Sequence, residues 1–150
     1  MNAVVVHVGS AVPELEPDLH AVCDLCAQNV PPDDGYLWVD NDEIARCEQK
    51  TAAWEAEHPA TENMTGDNLR TRPGPARWRV THTACDPGSR GDAYAIELDR
   101  ISTFRDLAGW TIHLQGKKWF RYTDWDELAE DALGAGGGRL VSRYTEPWHG

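Results

Sequence analysis

Four cysteines and six histidines are the residues of this 150-residue chain best suited to grip a transition metal or act as nucleophiles. Two groups of them share a spacing. Cys23-Asp24-Leu25-Cys26 is a C-x-x-C, and His82-Thr83-Ala84-Cys85 is an H-x-x-C. A two-residue spacer lets one tight turn aim both ligand atoms at one point. Zinc asks for four N or S ligands in a tetrahedron, so two such half-sites complete one shell. The spacing predicts structural Zn2+ held by Cys23, Cys26, His82 and Cys85. The alternative is a set of reduced, partly buried thiols with His82 on a strand. Iron–sulfur ligation by all four cysteines would require Cys47, which has no partner three residues away. Cys47 is expected instead on the apolar side of a helix, as free cysteine often is. His20, three residues before Cys23, and His58, beside Pro59, are the competitors for a ligand position.

Catalysis has less support. A nuclease of HNH type needs a histidine base to activate water and further His, Asn or Asp ligands for its metal. His82 is committed to zinc in this reading. His113 has Gly109, Trp110, Gly116 and Lys117 at three and four residues' spacing, so no compact base-plus-ligand set forms around it. Gly134-Ala135-Gly136-Gly137-Gly138 follows a helical stretch and suits a helix stop, not a phosphate-cradling loop that opens one. The expectation is a non-catalytic zinc-binding adaptor or regulator acting through a protein partner. The alternatives are a metal-dependent nuclease of HNH or treble-clef type and, less favoured, an acidic DNA-mimicking inhibitor.

Charge bears on the partner. The net charge is −11, and it is lopsided. Residues 1–68 hold 14 acids against two bases, while residues 69–150 hold 11 acids against 12 bases. Nonspecific DNA binding rests on neutralising phosphates, which this balance opposes. Arg77, Arg79, Lys117, Lys118 and Arg121 are the candidate nucleic-acid contacts. The last three interleave with Trp119, Phe120 and Tyr122, and such mixtures hold phosphates while stacking bases. The competing readings are core packing for the aromatics and pairing of the arginines with the acidic half. No apolar run reaches 18 residues, so no membrane-spanning helix is expected, and a cytoplasmic protein is anticipated.

The elements that must position these residues follow from pattern. Ala3–Val8 reads as a strand. Pro31-Pro32-Asp33-Asp34-Gly35 reads as a hairpin turn, with Ala27–Val30 opposing Tyr36–Val39. Asn41 or Asp42 caps a helix to about Glu57, whose inner face is Ile44, Cys47, Thr51 and Trp54. Residues 58–76, with three prolines, read as an irregular connection. Arg77–His82 and Tyr94–Leu98 read as strands. Thr103 with Asp106, and Thr123 with Asp126, mark two helix starts. Leu140-Val141 adds a short edge strand. The prediction is an α+β fold, a small zinc-stapled β-hairpin core with about three helices, two of them C-terminal. Residues 1–102 form the zinc-stapled β-rich part, with a helical excursion at 41–76. The long span between half-sites is tolerable because loop entropy grows slowly with length. Residues 103–150 form a helical part packed on the same core.

The order of knuckle, hairpin and second ligand pair resembles zinc-ribbon and treble-clef modules. The chain also resembles small uncharacterised proteins of GC-rich bacteria and their phages. There a C-x-x-C precedes a Gly-Tyr-x-Trp strand, here Gly35-Tyr36-Leu37-Trp38, and a W-x-x-H-L-x-x-K-x-W segment follows, here Trp110 to Trp119. The resemblance implies zinc and a helical C-terminal part, with no established activity. After Cys85 comes Asp86-Pro87-Gly88, a turn and not a helix start, which favours a zinc-stapled hairpin core over a treble clef.

Overall fold

A computed structural model of the chain describes residues 17–59, 65–86, 92–134 and 138–144. The strand expected at Ala3–Val8 lies outside them. The fold is α+β, with two small antiparallel sheets and four helices among the described residues. One sheet has the order β2-β1-β6, from Asn29–Val30, Leu19–Val22 and Leu140–Ser142. The other has the order β4-β3-β5, from Arg79–His82, Gly35–Asp40 and Ala93–Glu97. The helices are α1 (Asn41–Glu57), α2 (Gly66–Arg70), α3 (Phe104–Gln115) and α4 (Trp125–Leu133).

The pairing corrects one expectation. β2 does not oppose Tyr36–Val39; it pairs with β1, Ala21 opposite Val30. The Pro31–Gly35 turn is closed by Asp34 N–H donating to the Pro31 carbonyl at 3.0 Å, but it carries the chain from one sheet into the other. β3 is then free to take β4 on one side and β5 on the other. As a central strand it buries Leu37, Trp38 and Val39. Gly35 is required at the crossing, because a Cβ there would sit 2.5 Å from both the Thr81 carbonyl oxygen and Val30 Cγ1.

The helix starts explain themselves locally, with two corrections. α1 is capped by Asp40, one residue before the expected position, because the last residue of β3 already has the extended backbone a cap needs; its carboxylate accepts from Asp42 and Glu43 N–H. Ile44, Cys47, Thr51 and Trp54 form the buried face, as the spacing predicts. α3 has the full capping box of Thr103 and Asp106. α4 does not repeat it. Thr123 donates its hydroxyl to the Phe120 carbonyl at 2.9 Å, and the cap is Asp124, which makes no side-chain capping bond. The Asp124 carboxylate is turned inward, where it accepts from Trp78 N–H at 2.8 Å and from Arg139 at 2.7 Å.

One core runs through both sheets and reaches α3 and α4, from Leu19 and Leu37 to Leu114, Leu128 and Leu140. β6 is the edge strand that was expected, paired with β1. α4 packs on β6, and α1 packs back on β3 and β5. Trp78 is fully buried at the centre of an aromatic group. Trp125 meets it edge-on at 5.0 Å between ring centroids and Tyr94 at 6.2 Å, with Trp119 at 6.3 Å. The edge contacts of Trp125 and Tyr94 suit the ring quadrupole, and Trp119, tilted and partly buried, packs against the core.

Candidate metal centre

β1 runs directly into the first half-site. Cys23 N–H donates to the Gln28 carbonyl and Ala27 N–H to the Cys23 carbonyl, both at 2.9 Å, which closes a tight turn between β1 and β2. Ala27 completes it at φ 62°, the left-handed region that favours glycine. Inside the turn, Leu25 N–H donates to Cys23 Sγ at 3.4 Å. The second half-site lies at the far end of β4. His82 is the last strand residue, opposite Gly35 in the register, and Thr83–Cys85 is one turn of 3-10 helix. That turn brings Cys85 back beside His82, with Sγ 3.9 Å from Nδ1.

The two half-sites meet. The ligand atoms of Cys23, Cys26, His82 and Cys85 all lie within 4.8 Å of one another. No disulfide joins them. Cys26 Sγ is 3.4 Å from His82 Nδ1. A tetrahedral zinc shell has edges of ~3.8 Å between sulfurs and ~3.6 Å between sulfur and nitrogen, so the four donors fit one ion. The ring of His82 is oriented for this. Nε2 lies 3.0 Å from the Asn29 carbonyl oxygen. A carbonyl accepts only, so Nε2 carries the proton and Nδ1 is left as the metal-facing lone pair.

Electrostatics point the same way. Burial opposes ionisation of Cys23, but the N–H groups of Cys26, His82 and Leu25 and the His82 ring outweigh it, bringing the thiol down to about 6. Burial, then the adjacent sulfurs of Cys23 and Cys26, push Cys85 up to about 11. The hydrogen bond with Cys23 raises the His82 imidazole above its ordinary value. Three sulfurs this close repel once ionised, and a cation among them removes the conflict.

One positioning residue escapes the motif. Asp24, the first spacer residue of the C-x-x-C, is bonded to β4 through both backbone and side chain. Its N–H donates to the Val80 carbonyl, and its carboxylate accepts from Val80 N–H, each at 2.8 Å. Arg77 pairs with the other carboxylate oxygen at 3.0 Å. Asp24 therefore sets the distance between the two half-sites. A polar spacer beside two ligands was the available signal.

The other candidates lie elsewhere. His20 sits on the exposed face of β1, and His58 stacks on Trp54 at 4.4 Å with Nδ1 2.9 Å from the Trp54 carbonyl oxygen. Cys47 packs in the core from α1, where burial raises its thiol. The five basic candidates are not gathered on one surface of free charge. Arg77 pairs with Asp24, Arg79 with Glu43 at 2.9 Å, and Arg121 lies 3.7 Å from Glu55. Lys117 lies over the Tyr94 ring, and Lys118 is exposed. Comparison with family models, curated proteins and solved structures gives no match to this chain. No helix among the described residues is long and apolar enough to cross a membrane.

Proposed function

We propose that the Cys3His cluster holds one structural Zn2+ and that the protein is a non-catalytic adaptor or regulator that works by binding another protein. The observation that supports this most is the closure of the ligand set. Three thiols and one imidazole supply the four donors a structural zinc takes, whereas catalytic zinc keeps one position for water. Thiol-rich ligation also favours zinc over the oxygen-seeking Mg2+ or Ca2+. The cluster joins the β1–β2 turn to the end of β4, which is the work of a staple. Free thiols and a thiolate metal site suit a reducing compartment, the cytoplasm. Kinship with zinc-ribbon-like proteins of GC-rich bacteria and their phages belongs to the same proposal. The test is elemental analysis of purified protein beside a cleavage assay on DNA and RNA with added divalent metals. About one zinc per chain, lost in Cys85→Ser and kept in Cys47→Ser, with no cleavage, supports the reading. Metal-dependent cleavage abolished by His58→Ala or His113→Ala replaces it with the nuclease.

A further inference from the structure

One face of α3, from its first turn to His113, and the turn before it frame an open groove of about 650 Å³. Its lining is Arg100, Arg105, Asp106, Gly109, Trp110 and His113. This is a cationic spot on a strongly acidic molecule, and its charge is not neutralised from within. Arg72, Arg77, Arg79, Arg121 and Arg139 each reach a carboxylate. Among the described residues Arg100 and Arg105 reach none. Arg100 instead lies over the Trp110 ring, 5.3 Å from its centroid. The one acid in the groove, Asp106, is engaged by Ser102 and Thr103 N–H in the α3 cap.

The shape of the floor is a second, independent observation. Gly109 sits mid-helix, where glycine costs about 1 kcal/mol against alanine. Nothing inside the molecule requires it, because a Cβ there would meet no atom within 4 Å. What the missing side chain leaves open is the groove. Trp110 donates its indole N–H to the Arg100 carbonyl at 3.0 Å, so the indole is held in place with its polar edge already satisfied. His113 meets that ring edge-on at 5.5 Å. One strip further round the helix, Arg105, Gly109 and Ile112 align at helical spacing, and Ile112 is 72% exposed.

We propose that this groove is the docking site for a short acidic peptide segment of a protein partner, one that places carboxylates on Arg100 and Arg105 and an apolar side chain beside Ile112. The proposal rests on the adaptor reading above and names the surface it uses. Charge complementarity selects the occupant. Carboxylates match the guanidinium forks, and a short segment confined to the groove meets only this local patch, whereas an extended polyanion also runs along the acidic remainder of a chain of net charge −11.

The test uses the zinc-loaded full chain and a fluorescein-labelled peptide of alternating Glu and Leu, read by fluorescence anisotropy. Binding that weakens with salt and falls at least about tenfold in both Arg100→Glu/Arg105→Glu and Gly109→Gln supports the proposal. Gly109→Gln is a sharp control, because it improves helix propensity and should hold or raise the melting temperature while filling the groove. Absent peptide binding, equal binding by the variants, or tighter groove binding of an RNA oligonucleotide overturns it. A photo-crosslinking residue at Ile112 or at Leu25, which is 62% exposed in the C-x-x-C turn, separates the two readings in cells. A protein captured through Leu25 and not Ile112 overturns the groove and leaves the adaptor. A protein captured through Ile112, with capture lost in Arg100→Glu/Arg105→Glu, supports both.

Discussion

The two ends of β4 are held by opposite kinds of chemistry. At its C-terminal end, His82 joins Cys23, Cys26 and Cys85 in a cluster of polar, partly exposed donors. At its N-terminal end, Trp78 is fully buried among rings, and a buried ion pair grips its backbone. Arg139 donates to the Trp78 carbonyl, Asp124 accepts from the Trp78 N–H, and the two charges meet at 2.7 Å. Both devices tie the second sheet to the first, since Cys23 follows β1 and Arg139 precedes β6. The difference is conditionality. A chelate stabilises only while metal is bound and its ligands are deprotonated. A packed ring cluster around a satisfied ion pair holds under any metal supply.

Breaking the metal-independent end should give the largest loss. Asp124→Ala leaves Arg139 charged, buried and without its carboxylate, which costs about 3–5 kcal/mol. Urea denaturation with zinc saturating should show this loss undiminished by metal. A double change to Asp124→Leu with Arg139→Met should recover much of it, because no uncompensated charge remains.

Removing the metal tests the other end. At free zinc about a thousandfold above its Kd, bound metal adds about 4 kcal/mol. Chelation should remove that and should erase hydrogen-exchange protection in residues 23–28 and 80–85. Trp78, α3 and α4 should keep theirs. Uniform loss of protection would merge the two ends into one cooperative unit.

Asp24 is where the two ends are joined along β4. Asp24→Ala removes charge-assisted bonds worth about 1.5–3 kcal/mol and should weaken zinc retention in a competition with a chromogenic chelator. Arg77→Ala, which breaks only the half-exposed pair with Asp24, should cost at most about 1 kcal/mol. The smallest effect has the opposite sign. Ala27→Gly relieves a left-handed backbone and should stabilise the first half-site by about 1 kcal/mol, visible as a small rise in melting temperature.

The spacing of Cys23, Cys26, His82 and Cys85 was legible in the chain because chelation by short turns is a local requirement. The same holds for the buried face of α1 and the capping box at Thr103, which depend on residues three and four apart. The failures share a cause. Asp34-Gly35 carries a turn signal, yet turn residues do not say which strand comes to lie opposite. β2 left β3 for β1 because Gly35 lets the two sheets cross closely. Thr123 with Asp126 imitates a cap, and lost to Asp124 because burying Arg139 demanded a carboxylate inside.

Sequence alone determined which four donors cluster, the helical faces and the charge imbalance, since each is written in residue type and near spacing. Tertiary structure decided which strands pair, that Asp24 aligns the half-sites, that Arg77 and Arg79 meet acids, and that Arg100 and Arg105 do not. Those outcomes depend on segments far apart in the chain, and their energies exist only once burial has brought the partners together.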